Sequence, residues 1–340
     1  MTCQETQEKN SGQLIVDATC TPADIRYPND MSILNEARMN AERFIDYLYT
    51  NYRRECPEKP RDYREVAHKD FIAYTKKRKP RANARRKAIR KQLNYLRRDI
   101  KHIVGIILKI KSIDFLLHPQ MRRFIDRFKV IKEVYTQQNY MYENKVRRVS
   151  DRIVSFSQPH IRPIVRGKAG KSVEFGAKIS LSLSDGFSFV DRLSWDNFNE
   201  SKDLIPQIEN YKERYGYYPL SVHADKIYQT RENRNYCKLH HIRITGKPLG
   251  RPAKKTEENK KKLEEEKIQR YQDDIDRIAI EGRFGVAKRK YGLGLIKSKL
   301  KETSETDINV SIFVLNLEKI CSEEISKNKG KYRIRGVRAA

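Results

Sequence analysis

The sequence predicts a mixed α/β fold: a mixed β-sheet flanked by helices, with a large basic helical segment set after the first strand. Three observations carry this prediction. An apolar, β-branched run, Gln13-Leu14-Ile15-Val16-Asp17-Ala18-Thr19, stands near the start. A long stretch of three- and four-residue apolar periodicity, dense in Lys and Arg, comes next. After Pro159 and Pro163 the texture changes to strand-like alternation.

Taken in order, the first run reads as a buried strand with Asp17 near its C-terminal end. Ile33, Leu34, Ala37, Ala41, Phe44, Ile45 and Leu48 then recur at helical spacing, with Asp30 or Ser32 able to cap the helix. Lys76 to Arg98 carries two basic clusters, Lys76-Lys77-Arg78-Lys79 and Arg85-Arg86-Lys87, on a helix-favouring background, and is predicted to be helical. Val173, Phe175, Ala177, Ile179, Leu181 and Leu183 alternate up to Asp185-Gly186, a turn signal, and Phe187 to Val190 completes a hairpin. A helix from about Ser201 to Arg214 leads to a short strand, Leu220 to Ala224, that ends at Asp225. A long charged helix, Lys254 to Arg289, places Glu281 in its C-terminal half, and Val310 to Glu323 forms a last amphipathic helix before a basic tail.

Composition narrows the partners. The 340 residues carry 72 Lys and Arg against 44 Asp and Glu, a net charge of +28 that favours a polyanion. The charge is concentrated, since residues 61–150 hold 26 basic and 8 acidic side chains, a net +18. The longest uncharged apolar run, Ile103 to Leu108, is far short of the roughly 20 residues that span a bilayer, so no membrane partner is expected. Neither a basic n-region nor an apolar h-region opens the chain, which predicts a cytoplasmic, nucleoid-associated protein. Five scattered cysteines without C-x-x-C spacing argue against disulfide frameworks and zinc knuckles.

Asp17 and Asp225 each close a strand, and Glu281 rides a later helix. Two-metal phosphoryl transfer needs carboxylates from separate elements to meet at one point and hold two Mg²⁺ ions about 4 Å apart. A first Asp on a strand of a hairpin-containing sheet, a second after a later strand and a Glu from a helix form the RNase H-like plan. By itself the triple is a weak signal among 44 acidic residues.

Local context strengthens it. Asp17-Ala18-Thr19 with Pro22-Ala23-Asp24-Ile25-Arg26-Tyr27-Pro28 resembles the first-Asp motif of insertion-sequence DDE transposases of the IS-four and IS-five-like group. Ala224-Asp225-Lys226-Ile227-Tyr228 with Thr230 to Arg234 resembles the second-Asp motif, and Thr245 to Pro252 the basic loop beyond it. Arg277 to Gly285 with Lys288 to Leu293 resembles the third block, in which Arg precedes the Glu by four and Lys follows it by seven. One departure is Asp274, three before Arg277, where the family often has Tyr.

The resemblance implies an RNase H-like catalytic core split between residues 1–26 and 159–300, a basic helical insertion at 27–158, and a C-terminal helix and tail at 301–340. It implies that Asp17, Asp225 and Glu281 hold two Mg²⁺ ions, with Mn²⁺ able to substitute. Double-stranded DNA, as transposon ends and target, is the implied partner, bound by a homodimer with no small-molecule substrate. Phosphate contacts are expected from Lys247, Arg251, Arg277 and Lys288, and from Lys76, Lys77, Arg78 and Lys79. Family members begin with a helical domain before the first catalytic strand, and this chain, starting about a dozen residues before it, is expected to lack that domain.

Other readings stay open: a catalytically inactive transposase remnant, or a basic nucleic-acid-binding protein without chemistry. Single residues have plain explanations too. The basic clusters suit solvated helical faces, and Trp195 suits either a core plug or a base-stacking platform. Lys178 suits DNA or an ion pair, and His223, two residues before Asp225, suits a packed strand histidine.

Overall fold

The computed structural model describes residues 9–110, 118–165, 173–246 and 256–328. The chain forms two compact units, one made of residues 1–24 and 164–340, the other of 25–163.

The first unit is built on a mixed sheet of β1 (Gln13–Pro22), β2 (Arg162–Val165), β3 (Val173–Ser184), β4 (Phe187–Ser194), β5 (Ser221–His223) and β6 (Arg243–Ile244). The strand order is β2-β3-β1-β5-β6, with β4 also paired to β3. β1 runs antiparallel to β3 over its length and parallel to β5 only from Gln13 to Ile15, with Leu14 opposite Val222. β3 and β4 form a hairpin whose turn, Asp185-Gly186, has positive φ at both residues, the geometry that matches strand twist. Gly176 is required where β3 meets the end of β1, because an added Cβ would lie 2.0 Å from the Thr21 carbonyl oxygen.

Strand alternation decides which helix each side chain meets. Leu14, Val16, Val222 and Ala224 pack with Leu204, Ile208 and Tyr211 of α5 (Leu204–Tyr215), with Tyr228, and with Cys237 of α6 (Arg231–Leu239). Gln13, Ile15, Asp17, Thr19, Ser221 and His223 point the other way. There Gln13 and Thr19 bond to α7 (Glu257–Lys290). α8 (Lys301–Lys327) borders β4, where Asn316 accepts from the Ser188 N–H and donates to its carbonyl. Both faces of β3 are buried, so Ser180, Ser182 and Ser184 are as enclosed as Ile179, Leu181 and Leu183.

The second unit is helical: α1 (Asp30–Asn51), α2 (Arg64–Thr75), α3 (Ala82–Ile107) and α4 (Pro119–Glu143). Its core runs from Leu34, Phe44 and Leu48 through Leu96 and Ile103 to Phe128 and Ile131, with Phe44 stacked on Phe124 at 4.9 Å. A polar group lies inside it. Arg38, 1% exposed, pairs with Glu42 and donates to Asn35. Burial, reinforced by Glu42, pushes the Asp99 carboxyl up to about 7.

Four expectations need correction. Asp17 sits mid-strand, not near the end, because Ala18 to Pro22 keep pairing with β3 after β5 has stopped. Asn29, rather than Asp30 or Ser32, caps α1, its carboxamide oxygen accepting from the Met31 N–H. Lys76 to Lys79 are not helical: α2 ends at Thr75 and α3 starts at Ala82, and Pro80 disfavours helical backbone at the residue before it. The last helix is longer than Val310 to Glu323, running from Lys301 to Lys327.

Among the described residues no helix is long and apolar enough to cross a membrane. Cys20, Cys56, Cys237 and Cys321 carry free thiols, and Cys3 lies outside the described residues.

Candidate active site

Asp17 is half-buried on the β1 face that α7 covers. Its position follows from the register: β1 is flanked on both sides up to Ile15, and two residues later the β5 side has ended. The Ala18 N–H donates to its Oδ1 at 2.8 Å. Its pKa is pushed up to about 6, first by burial, against the pull of the Ala18 N–H, and further by the charges of Glu200 and Asp225, while Arg277 draws it down. Carboxylates crowded in this way resist ionising together.

Asp225 follows β5 and is exposed. Its Oδ1 accepts from the Lys226 N–H at 2.7 Å, capping the short 3₁₀ turn Lys226–Tyr228 and fixing the carboxylate at the strand end. Glu281 lies on α7 with its side chain 52% exposed, 3.2 Å from the Arg277 guanidinium one turn before it. Lys288 donates to Thr19 Oγ1 at 2.8 Å, two residues along β1 from Asp17. Spacings of four and seven residues keep Arg277, Glu281 and Lys288 within about 40° of each other around α7.

The charges of Asp225 and Arg277 both reach Asp17, and Arg277 also pairs with Glu281, but the ligand atoms of Asp17, Asp225 and Glu281 do not all lie within 4.8 Å of one another. Glu200 is a further acid that the sequence reading missed. It opens the 3₁₀ turn before α5 and pairs with Lys178 at 2.7 Å. No motif surrounds it, since a turn residue joins a site only through the folding of β3 and β4 beneath it. Lys178 is thus an ion-paired strand residue that also donates to the Phe198 carbonyl at 2.8 Å. Trp195 is a core residue, 6% exposed, its indole N–H donating to Glu305.

On the same sheet face lies a second polar group. His223 is fully buried, and Gln13 donates to its Nε2 at 2.6 Å and to Asp276 Oδ2 at 3.0 Å. Nδ1 then carries the proton, 3.4 Å from the Asp273 carbonyl, and burial pushes the imidazole below its usual pKa. Asp273 accepts two bonds from Arg243, at 2.7 and 2.9 Å, which hold its carboxyl below the ordinary range against the upward push of burial.

With this geometry the comparisons with known proteins can be read. Residues 222–318 match the family model of the transposase DDE domain. No curated protein and no solved structure gives a match. The matched stretch contains His223, Asp225, Arg243, Asp273, Asp276, Arg277, Glu281 and Lys288, while Asp17 lies outside it. The match supports a DDE transposase, an enzyme of the nuclease and transferase type acting on DNA.

Of the other residues expected from the sequence to contact DNA, Lys76, Lys77, Arg78 and Lys79 are all exposed, on the connection between α2 and α3. Lys247 and Arg251 lie outside the described residues.

Proposed function

We propose that the chain is a DNA transposase of the insertion-sequence DDE class, with an RNase H-like core, that cuts DNA strands at element ends and joins them to target DNA. Asp17, Asp225 and Glu281 are its metal-holding carboxylates. One observation carries the reading: residues 222–318, which include Asp225 and Glu281, match the family model of the transposase DDE domain.

The donor set fits a hard cation. Three carboxylates from separate elements would supply oxygen ligands, and the burial and, after it, the neighbouring acids that lift the Asp17 pKa would be offset by a bound divalent ion. Two Mg²⁺ ions held there would supply charge neutralisation and an acidified water or 3′-hydroxyl. The protein's own contribution is positioning. Asp225 is fixed by its cap, Arg277 carries positive charge beside the carboxylates, and Lys288 is held at β1 by Thr19. In strand cleavage the water oxygen bonds to phosphorus as the bond to the 3′ oxygen breaks; the freed 3′-hydroxyl then attacks a target phosphorus, and as that bond forms the target's own phosphorus–O3′ bond breaks, releasing a target 3′-hydroxyl.

Duplex DNA is the substrate, bound by a homodimer in this reading, and the basic unit 25–163 supplies phosphate contacts. The test is strand transfer. The full chain is incubated with a labelled duplex bearing a free 3′-hydroxyl and a supercoiled plasmid, in Mg²⁺ or in chelator. Label joined to plasmid only in Mg²⁺ is expected. Duplex binding without any joining or nicking would instead support an inactive remnant or a binding protein.

A further inference from the structure

Three elements carry the proposed metal-holding carboxylates, and one partly buried polar junction ties all three together. β1 bears Asp17 and, four residues earlier on the same face, Gln13. Asp225 follows β5, which carries His223 two residues before it. α7 bears Glu281 and, on the preceding turns, Asp273 and Asp276. The Gln13 amide spans His223 and Asp276, at 2.6 and 3.0 Å. His223 faces the Asp273 carbonyl at 3.4 Å and Ser221 Oγ at 3.1 Å. Arg243, on β6, grips Asp273 with two bonds, and Gln269 adds a third at 3.1 Å.

We infer that Gln13, His223, Arg243, Asp273 and Asp276 are positioning residues, a clasp that sets the placement of α7 on the sheet and so the distance of Glu281 from Asp17 and Asp225. The inference rests on the proposed metal-holding role of those three carboxylates.

Apolar packing alone does not index a helix along its axis in this way. Ile280, Phe284 and Ala287 bury the same side of α7, and such contacts tolerate small slides. A two-point amide bridge and a bidentate guanidinium pair are directional, and a slide by part of a turn breaks both. The break is costly at Asp273, which is 5% exposed and would lose its partner, although Arg243 itself is partly open to solvent.

The ligand atoms of His223, Asp273 and Asp276 lie within 4.8 Å of one another, so the cluster could be read as a cation site. The guanidinium argues otherwise. Arg243 already places a fixed positive charge on Asp273, and Gln13 already occupies His223 Nε2 and Asp276 Oδ2. A cation would have to displace both.

The test titrates the full chain with Mn²⁺ alone, following free Mn²⁺ by its solution electron paramagnetic resonance signal. Wild type, Gln13→Ala, Arg243→Ala, Arg243→Lys and Asp17→Asn are compared, with folding checked by circular dichroism. We expect Gln13→Ala and Arg243→Ala to weaken Mn²⁺ binding by about 10- to 100-fold with the number of ions unchanged, as for other residues that orient metal ligands. Arg243→Lys should recover only part of the affinity, since it restores the charge on Asp273 but not the two-bond grip. Should Arg243→Ala fail to fold, Gln13→Ala decides alone, because it removes no charge. Equal affinity in folded Gln13→Ala overturns the clasp, and so does the loss of a whole ion in either alanine variant, which would make the cluster itself a cation site. Binding that Asp17→Asn leaves untouched has a different meaning: it overturns the metal-holding role of Asp17 and removes what the clasp would position.

Discussion

Arg277 lies one helical turn before Glu281, its Nη1 3.2 Å from Oε1, and the same guanidinium offsets a small part of the upward shift that burial gives the Asp17 carboxyl across the α7–β1 contact. The pair is too exposed to be a stability device, with side chains 27% and 52% accessible, and such i,i+4 pairs are worth about 0.3–0.5 kcal/mol. Its significance is that it stands among carboxylates that otherwise repel.

The first prediction follows. Arg277→Ala should change stability by less than about 1 kcal/mol yet lower Mg²⁺-dependent nicking by about a hundredfold, the scale of losing one charge-stabilising donor at a reacting centre. Urea unfolding and plasmid nicking, measured on the same preparation, separate the two. A variant that loses both in proportion would make Arg277 a structural residue.

A second prediction concerns pH and the helical unit. Asp99 is 5% exposed and its carboxyl is pushed up to about 7, by burial first and then by Glu42, against Arg38 and Arg98. A folded-state pKa above the unfolded 3.8 means that the favourable contribution is complete below 3.8 and is lost as pH rises through about 7. Wild type should therefore melt lower at pH 8.5 than at pH 5.5, by up to a few kcal/mol of stability. Asp99→Asn should flatten that dependence and raise the melting temperature at pH 8.5. An identical pH profile in the variant would contradict it.

The third concerns the exposed run Lys76 to Lys79. If each side chain meets one phosphate, replacing all four by alanine should flatten the slope of log K against log salt by roughly 0.9 per contact, near 3.6 in all. The loss should be equal for all duplex sequences, because phosphate contacts carry no base information. A slope that does not change would show a merely solvated connection.

Much of this was legible in the chain, for identifiable reasons. β1, the β3–β4 hairpin, β5 and α7 were readable because their apolar periods and the Asp185-Gly186 turn are local signals, and Asp225 came with the end of β5, whereas Asp17 lies mid-strand because pairing with β3 carries β1 on to Pro22. Glu200 was not readable, since only the pairing of β3 with β1 and β4 brings Lys178 and Asp17 toward it. The clasp was half readable. Extending the buried stripe of Ile280, Phe284 and Ala287 back along α7 by helical steps reaches Asp276 and Asp273, acids on an inward face that need partners. Their partners, Gln13 and Arg243, lie on strands far away in sequence, so no local pattern could supply them. The break at Lys76 to Lys79 was signalled by Pro80, which the density of helix-favouring residues outweighed in the reading.

The central claim is that Asp17, Asp225 and Glu281 act as one metal-holding centre. Its most direct measurement is the nicking of supercoiled plasmid in Mg²⁺ by wild type, Asp17→Asn, Asp225→Asn and Glu281→Gln, each first shown to be folded and to bind duplex. An amide keeps the size of the carboxylate but not the charge that holds a cation. We expect Mg²⁺-dependent nicking by wild type and none by any of the three variants, with duplex affinity retained. Nicking at the wild-type rate by any one variant would remove that residue from the centre and contradict the account.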